Sequence, residues 1–271
     1  MSNYTVIGGN GFIGKKLCDY LVENGENIWS PARGDLDIYE KDLGIVFYCA
    51  GFGDCQNDPN NVLQANTILL KNILNNAKFS KLYYFSSTRL YMNQMSSNED
   101  SDLKICTNDE RRLFNLTKLV AEELCLKSKQ QCHILRASNV YGVALESPLF
   151  LPAITRNAIK NKRIEMYITP GYEKDYISVD DVVHACYKIS QATILIPKII
   201  NIASGTNTSA AEITKLLVKE TSCEVVWHDN VNTGEEFPET KIDCLRKILD
   251  FKPRNVLEDI KSMVNEFRMH M

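Results

Sequence analysis

The feature that most constrains the fold is a glycine-rich loop near the N-terminus. Residues 8–14 read GGNGFIG, and the glycines at 8, 11 and 14 are three residues apart. The loop follows an apolar run at 4–8, which predicts a strand, and precedes residues 12–24, whose apolar spacing predicts a helix. In such a unit the glycines permit a tight turn and let the helix N-terminus approach a pyrophosphate. We therefore predict a dinucleotide site; the alternative is a simple βα turn that happens to be glycine-rich.

The rest of the first half alternates short apolar runs with stretches of helical spacing. Such alternation predicts βαβ units, and therefore an α/β fold with a Rossmann-type, doubly wound parallel sheet. The polar stretch 92–111 has little periodicity and is interpreted as an excursion near a site. The predicted strands are 27–30, 44–50, 81–87 and 132–138, and the predicted helices are 62–77 and 112–127.

Beyond Tyr141 prolines and glycine punctuate shorter elements, which predicts a smaller lobe completed by helices 209–220 and 256–267. We expect residues 1–142 to form the dinucleotide-binding domain and residues 143–271 to form mainly a substrate-binding α/β lobe. The strand around 175–179 and the helix 180–190 are ambiguous. They could return to the first sheet, so that the first domain is rejoined by about 175–203 and the lobes interleave.

Composition excludes several classes of protein. The net charge of −3 and the pI of about 5.9 argue against a basic face that binds nucleic acid. The nine cysteines form no CxxC pair, and the four histidines have no metal-ligand spacing, so we expect no disulfide framework and no metal. No signal peptide is evident, and no run approaches the roughly 18 apolar residues that span a bilayer. A cytoplasmic protein with no membrane partner is the expectation.

The residues after the second predicted strand bear on the choice of cofactor. NAD sites usually offer an acidic side chain there to the ribose hydroxyls, but this chain has Ala32 and Arg33. A guanidinium would favour a 2′-phosphate through charge-assisted contacts, so NADP(H) is slightly favoured over NAD(H). The alternatives are an exposed loop arginine, or Asp35 as the partner of a ribose hydroxyl.

Eight segments together carry a resemblance to a known family. They resemble the extended short-chain dehydrogenase/reductases and, more narrowly, the NAD-dependent epimerase/dehydratase family that acts on nucleotide sugars. The resemblance covers essentially the whole chain. The segments are GGNGFIG (8–14), FYCAG (47–51), Asn66 in VLQANTILL, YYFSSTRLY (83–91), FNLTK (114–118), LRASNVYG (135–142), DYISVDDV (175–182) and NIASGTNTSAAEI (201–213).

The resemblance implies a strand order of 3-2-1-4-5-6-7 and a nucleotide-sugar substrate in the cleft beside a small C-terminal lobe. It also implies a role such as polysaccharide biosynthesis, and a homodimer whose contact uses helices 62–77 and 112–127. Substrate contacts would come from Ser87, Asn139 and Lys174. The implied cofactor contacts are Gly8, Gly11, Phe12, Ile13, Gly14, Arg33, Asp35, Leu36, Ala50, Gly51, Asn66, Ser86 and Lys118.

The resemblance also implies a catalytic set of which one member is altered. Ser87 matches the serine that hydrogen-bonds the reacting sugar oxygen. Lys118 matches the lysine of a YxxxK pair, which holds the nicotinamide ribose and lowers the pKa of the tyrosine one turn before it. Phe114 occupies the position of that tyrosine and has no proton to exchange. Nearby, Met92 replaces a glycine, the usual proline before the tyrosine is missing, and Lys174 replaces an arginine that contacts diphosphate.

Three interpretations of Phe114 follow. Another group could supply the proton, such as Tyr91, Tyr141, or an acid or arginine of the 92–112 loop, for example Glu110. Alternatively, water or the substrate itself supplies it. In the third, the chain binds cofactor and nucleotide sugar as a regulatory or binding subunit without turning them over.

Overall fold

The computed structural model describes residues 3–228 and 234–271, and a parallel six-stranded sheet forms its centre. Its strands run in the order β2-β1-β3-β4-β5-β9, so the chain reverses direction across the sheet beside β1, as in a doubly wound fold. The predicted fold class is confirmed. The strands are β1 (Asn3–Ile7), β2 (Asn27–Trp29), β3 (Ile45–Tyr48), β4 (Lys81–Ser87), β5 (Cys132–Ala137) and β9 (Ile199–Ile202).

Helices cover both faces of this sheet. On one face α1 (Phe12–Glu23) packs against α6 (Val179–Gln191), and Leu17 and Leu21 of α1 are fully buried there. On the other face α2 (Pro59–Leu63), a π-helical turn (Gln64–Ile68) and α3 (Leu69–Asn76) lie against α4 (Arg112–Lys127). Since both faces are covered, the strands read as continuous apolar runs.

The helix predicted at 62–77 begins earlier in the structure, at Pro59, and is interrupted by the π-helical turn. Asp58 caps it by accepting a hydrogen bond from the backbone N–H of Asn61, and Pro59 occupies the first helical position, where its missing N–H costs nothing. The interruption is the π-helical turn, which contains buried Asn66. Such turns insert one residue and re-aim a side chain.

The seven-strand order implied by the resemblance is wrong for the described residues, whose central sheet has six strands. Between β2 and β3 the chain forms a 3₁₀ turn at Leu36–Tyr39 and no further strand. A crossover to an additional parallel strand needs about a dozen residues before that strand begins. Residues 30–44 are too few for a crossover, a strand and the return.

A second layer forms beside the carboxyl ends of the central strands. Strands β6 (Asn139–Tyr141), β8 (Glu173–Ser178) and β10 (Asn207–Ser209) form one small sheet, and β7 (Arg163–Met166) pairs with β11 (Glu224–Trp227). Their core is shared with three helices, α5 (Phe150–Lys160), α7 (Ala210–Thr221) and α9 (Val256–His270). A fourth helix, α8 (Asp243–Ile248), packs by β9 instead.

The ambiguous segment is divided between the two layers. Strand β8 lies in the small sheet, whereas α6 packs on α1 and β9 pairs with β5 in the central sheet. The domain boundary at residue 142 stays a prediction. Across residues 3–228 and 234–271, no helix combines the length and the apolar character needed to cross a membrane.

Candidate active site

The glycine loop is packed so closely that side chains are excluded. Gly8 has a φ of +86°, and a Cβ there would lie 2.7 Å from the backbone nitrogen of Ala50. A Cβ at Gly14 would lie 2.3 Å from the carbonyl oxygen of Gly8. Gly11 precedes α1 without any side-chain cap, so the first N–H groups of the helix, from Phe12 onward, are free to bind an anion.

A cleft of about 660 Å³ opens in front of this loop. Its walls are the loop, the segment after β3, the end of β4, the start of α4 and, opposite them, residues of the second layer. The volume lies in the range of small-molecule and cofactor sites. Of the predicted site residues, those that line it are Gly11, Phe12, Ile13, Gly14, Gly51, Ser86, Ser87, Phe114, Lys118, Asn139 and Lys174.

Lys118 is buried at the base of the cleft. Its ammonium donates a hydrogen bond of 2.8 Å to the carbonyl oxygen of Phe85, and it lies 4.8 Å from the ring centroid of Tyr84. Burial lowers the pKa of Lys118 to about 8, although the negative charge of Glu122 opposes that shift. A buried cation with hydrogen-bonding capacity remaining is suited to hold hydroxyl groups of a ligand.

Phe114 lines the cleft beside this lysine. Its half-buried ring lies 5.6 Å from the ammonium of Lys118 and 4.7 Å from the guanidinium carbon of Arg111. The ring therefore contacts two cations, which a benzyl group attracts weakly through its π face. It offers no atom that can take or give a proton.

Ser87 stands at the end of β4, where its hydroxyl oxygen accepts a hydrogen bond of 3.1 Å from the backbone N–H of Arg89. It thus caps the following 3₁₀ turn and also lines the cleft. Ser86 donates its hydroxyl proton to Glu122, and that carboxylate also pairs with Arg136. Ser86 is consequently held by the protein interior and has no hydroxyl proton left for a cofactor.

The aromatic and acidic candidates for a replacement proton carrier lie outside the cleft lining. The hydroxyl of Tyr91 donates to Asn201, and burial raises the pKa of Tyr91 to about 12. Tyr141 donates to Asp259, and burial raises its pKa as well. Glu110 is exposed and accepts a hydrogen bond from Gln56. None of these three candidates lines the described cleft, whereas the 92–112 loop contributes Arg111 to the lining.

A charged cluster also contributes to the lining of the cleft, and sequence reasoning found only Lys174 among its members. Arg89 pairs with Asp109 at 2.7 Å and with Glu235 at 2.6 Å. Glu235 also accepts a hydrogen bond from Tyr172 and lies 3.7 Å from the ammonium of Lys174. These residues come from four distant segments, so no spacing pattern connects them.

Burial and the contacts with charged neighbours shift the pKa values of this cluster in opposite directions. Burial would raise the pKa of Glu235, but hydrogen bonds from Arg89 and Tyr172 outweigh it and hold the pKa at about 2. Burial lowers the pKa of Lys174 to about 8, partly against the charge of Glu235. Near neutral pH Glu235 is therefore ionised and cannot act as an acid.

The remaining predicted residues have other contacts. Arg33 donates to the side-chain oxygen of Asn61 at 2.6 Å, and Asp35 accepts from the backbone N–H of Asp37. Asn66 binds Phe52 and so fixes the segment after β3 that contains Ala50 and Gly51. Asn139 donates to the carbonyl oxygen of Asp175, and Leu36 is 71% exposed. No group of three metal-ligating side chains occurs in the described part of the chain.

The comparison with known families decides the classification. Residues 4–203 match the sequence profile of the NAD dependent epimerase/dehydratase family. The chain belongs to this family. This match confirms the resemblance to the family that was inferred from the sequence.

Individual relatives are distant in sequence and close in fold. The dTDP-D-glucose 4,6-dehydratase of Dictyostelium discoideum is 24% identical over 266 residues; the match covers 79% of this chain and 61% of that protein. MoeE5 in complex with UDP-glucuronic acid and NAD superposes with a TM-score of 0.84 at 19% identity, covering 99% of this chain and 100% of that one.

A third comparison involves a tyrosine-to-phenylalanine mutant. This variant of UDP-glucuronic acid 4-epimerase from Bacillus cereus, in complex with UDP-4-deoxy-4-fluoro-glucuronic acid and NAD, has a TM-score of 0.86 and 18% identity. Coverage is 99% of this chain and 100% of that chain. At such identities the likeness demonstrates the shared fold.

Proposed function

We propose that this family member is an NAD(P)-dependent enzyme that modifies nucleotide sugars through an active site without the usual tyrosine. One observation carries the proposal: the glycine loop, Ser87 and Lys118 meet in a single cleft, with Phe114 beside the lysine. The helix N-terminus binds the pyrophosphate of the cofactor, Lys118 holds the nicotinamide ribose and Ser87 orients the sugar oxygen. The bound nicotinamide supplies hydride chemistry.

Without a phenol beside Lys118, and with the Tyr172 hydroxyl donated to Glu235, the proton in this proposal comes from water or from the substrate. Glu235 is the carboxylate among the described lining residues, and its ion pairs keep it deprotonated. Elimination of water needs a general acid at the leaving hydroxyl. Reduction and epimerisation also transfer a proton at the reacting sugar oxygen, so the described lining gives no preference among reduction, epimerisation and dehydration.

The direct test is incubation with NADPH or NADH and a panel of 4-keto nucleotide sugars, while absorbance of the reduced nicotinamide is followed. We expect slow oxidation of the cofactor with at least one sugar. Ser87→Ala should lower the rate further, whereas Ser147→Ala, at a half-buried loop position outside the cleft lining, should not. Rates no higher than a protein-free control with every sugar would contradict the enzymatic proposal.

The second candidate is a binding or regulatory subunit that holds cofactor and nucleotide sugar without turnover. The observation that favours it is the same benzyl group, since none of Tyr91, Tyr141 and Glu110 reaches the cleft. Ligand binding by calorimetry, combined with no turnover across the panel, would support this candidate.

We further propose that NADP(H) is preferred over NAD(H). The solved relatives hold NAD, but here Asp35 is engaged by its own 3₁₀ turn, and Arg33 is positioned by Asn61. We expect Arg33→Ala to weaken NADPH binding about tenfold or more, because a charge-assisted contact to the 2′-phosphate is lost. NADH binding should change little. Fluorescence titration measures both, with exposed Lys78→Ala as the control; an unchanged NADPH affinity would count against the preference.

A homodimer through α2–α4 is also proposed. Leu63, Leu116 and Val120 are 44%, 43% and 50% exposed, so these helices present apolar side chains to their outer surface. Sedimentation velocity should give twice the 30.8 kDa chain mass, and Val120→Asp should shift the protein toward monomer. A wild-type monomer at micromolar concentration would contradict this arrangement.

A further inference from the structure

Arg111 is a cation of the cleft whose charge is not balanced. It lines the cleft at the start of α4, and its guanidinium carbon lies 4.7 Å from the ring centroid of Phe114. Its backbone N–H binds Asp109, but no ion pair or side-chain hydrogen bond within residues 3–228 and 234–271 involves its guanidinium. The Arg111 side chain as a whole is exposed, but partial desolvation beside the cleft, followed by repulsion from Arg89, lowers the pKa of Arg111. The surroundings therefore favour an added negative charge.

The neighbouring cations are already compensated. Arg89 binds two carboxylates, those of Asp109 and Glu235. Asp109 is further occupied by the amide of Asn115, so it is not available to the guanidinium of Arg111. Lys174, on the opposite wall, lies 3.7 Å from Glu235. Apart from Lys118, which is assigned above to the nicotinamide ribose, Arg111 is consequently the cation of the described lining that has no carboxylate ion pair.

The position of Arg111 identifies the part of the ligand that it would contact. Phe114 lies beside it, and Lys118 lies behind that ring, which is the corner assigned above to the nicotinamide ribose and the reacting sugar. Lys174 is instead on β8 between the rings of Tyr172 and Phe237, at 4.8 and 4.9 Å from their centroids. These two cationic positions of the lining fit two anionic groups of one nucleotide sugar, a diphosphate at Lys174 and a second group at Arg111.

The chemistry of the guanidinium narrows this second group. An arginine stays protonated at neutral pH, so Arg111 cannot replace the tyrosine as a base. Its planar fork matches a carboxylate through two parallel hydrogen bonds. The N-terminus of α4, which has no side-chain cap, adds positive potential at the same place. A neutral hydroxymethyl group would give the guanidinium no ionic partner, whereas a carboxylate would.

We infer that the cleft takes a nucleotide sugar whose ring carries a carboxylate, a hexuronate, and that Arg111 binds this carboxylate. The inference rests on the proposed function, since it assumes that the sugar of a nucleotide sugar occupies the corner beside Phe114. It adds the substrate class and assigns a role to a residue that the catalytic motifs do not include.

The test compares UDP-glucuronate with UDP-glucose, which differ in a carboxylate and a hydroxymethyl group. The dissociation constants of both are measured by calorimetry. Because both ligands carry the same uridine diphosphate, the ratio of the two constants reports on the sugar alone. We expect UDP-glucuronate to bind about 10- to 100-fold more tightly, as typical for a hydrogen-bonded charge. Arg111→Gln should bring the ratio close to one, and Arg111→Lys should retain part of the preference.

Arg112→Gln is the matched control. Arg112 is the next residue, is exposed, and donates to the carbonyl oxygen of Thr107 instead of lining the cleft. The ratio should be unchanged in this variant, and thermal melts should show that all variants are folded. Equal affinity of the wild type for the two sugars, or a preference that survives Arg111→Gln, overturns the inference about Arg111 and leaves the proposed function standing. Failure of both nucleotide sugars to bind also overturns the inference, whereas the proposed function is judged separately by the panel of 4-keto nucleotide sugars.

Discussion

Phe114→Tyr is expected to raise turnover of a nucleotide sugar by about 10²- to 10⁴-fold, the usual contribution of a placed acid or base. The new phenol would stand on the same face of α4 as Lys118, one turn before it. Two positive charges, on Lys118 and Arg111, lie 5.6 and 4.7 Å from the present ring and would favour tyrosinate, so the pKa of the phenol should be lowered. Single-turnover and steady-state rates with reduced cofactor measure the effect.

The control for this variant is Phe150→Tyr, which adds a hydroxyl to another half-buried ring of the cleft lining, away from Lys118. It should leave turnover within a few-fold of the wild type. The result also separates the two candidate functions. Activity that appears only in Phe114→Tyr favours a binding protein, whereas a robust wild-type activity that the variant leaves unchanged or lowers excludes it.

Glu122→Gln is expected to lower the free energy of unfolding by about 3–5 kcal/mol, the cost of removing one partner from a buried ion pair. Glu122 and Arg136 are only 4% and 3% exposed, and the carboxylate binds two guanidinium nitrogens at 3.0 and 2.6 Å. The variant would leave the positive charge of Arg136 in the interior without compensation. It would also remove the negative charge that raises the pKa of Lys118, so that this pKa should fall further.

Urea denaturation of Glu122→Gln and Glu165→Gln side by side provides the comparison. Glu165 pairs with Arg163 at the surface, where both side chains are more than a third exposed. An exposed pair contributes about 1 kcal/mol or less. Equal destabilisation of the two variants would show that burial of the Glu122–Arg136 pair does not produce the expected penalty.

The alternation of strands and helices was sufficient to predict the fold class, because each βαβ unit is encoded by a contiguous stretch of sequence. The seventh strand was not predicted correctly, because it came from the resemblance and not from the 15 residues that join β2 to β3. The interruption of the helix at Gln64–Ile68 also escaped detection. A π-helical turn shifts the positions of the apolar residues by only one relative to an α-helix. A helix this short contains too few apolar residues for such a shift to be recognised in the sequence.

The candidate site was predictable only where its residues share a local element. Ser87, Phe114 and Lys118 were found because a strand end and one helical turn fix their positions in the sequence. Arg89, Tyr172 and Glu235 were not found. The contact between Arg89 and Glu235 joins positions 146 residues apart, and no sequence spacing reports a contact of that kind.

By itself, the sequence determined that a glycine-lined turn precedes a helix N-terminus, and that a benzyl group stands where a phenol is usual. Both are properties of a few consecutive residues, whose geometry follows from backbone sterics and the pitch of a helix. Only the tertiary structure decided which charges are paired. Glu235 forms an ion pair with Arg89, and the hydroxyls of Tyr91 and Tyr141 bind other side chains outside the cleft. Arg111 lines the cleft without an ion pair among the described residues. Charge compensation depends on distances of a few ångströms between distant segments, and these distances exist only after the chain has folded.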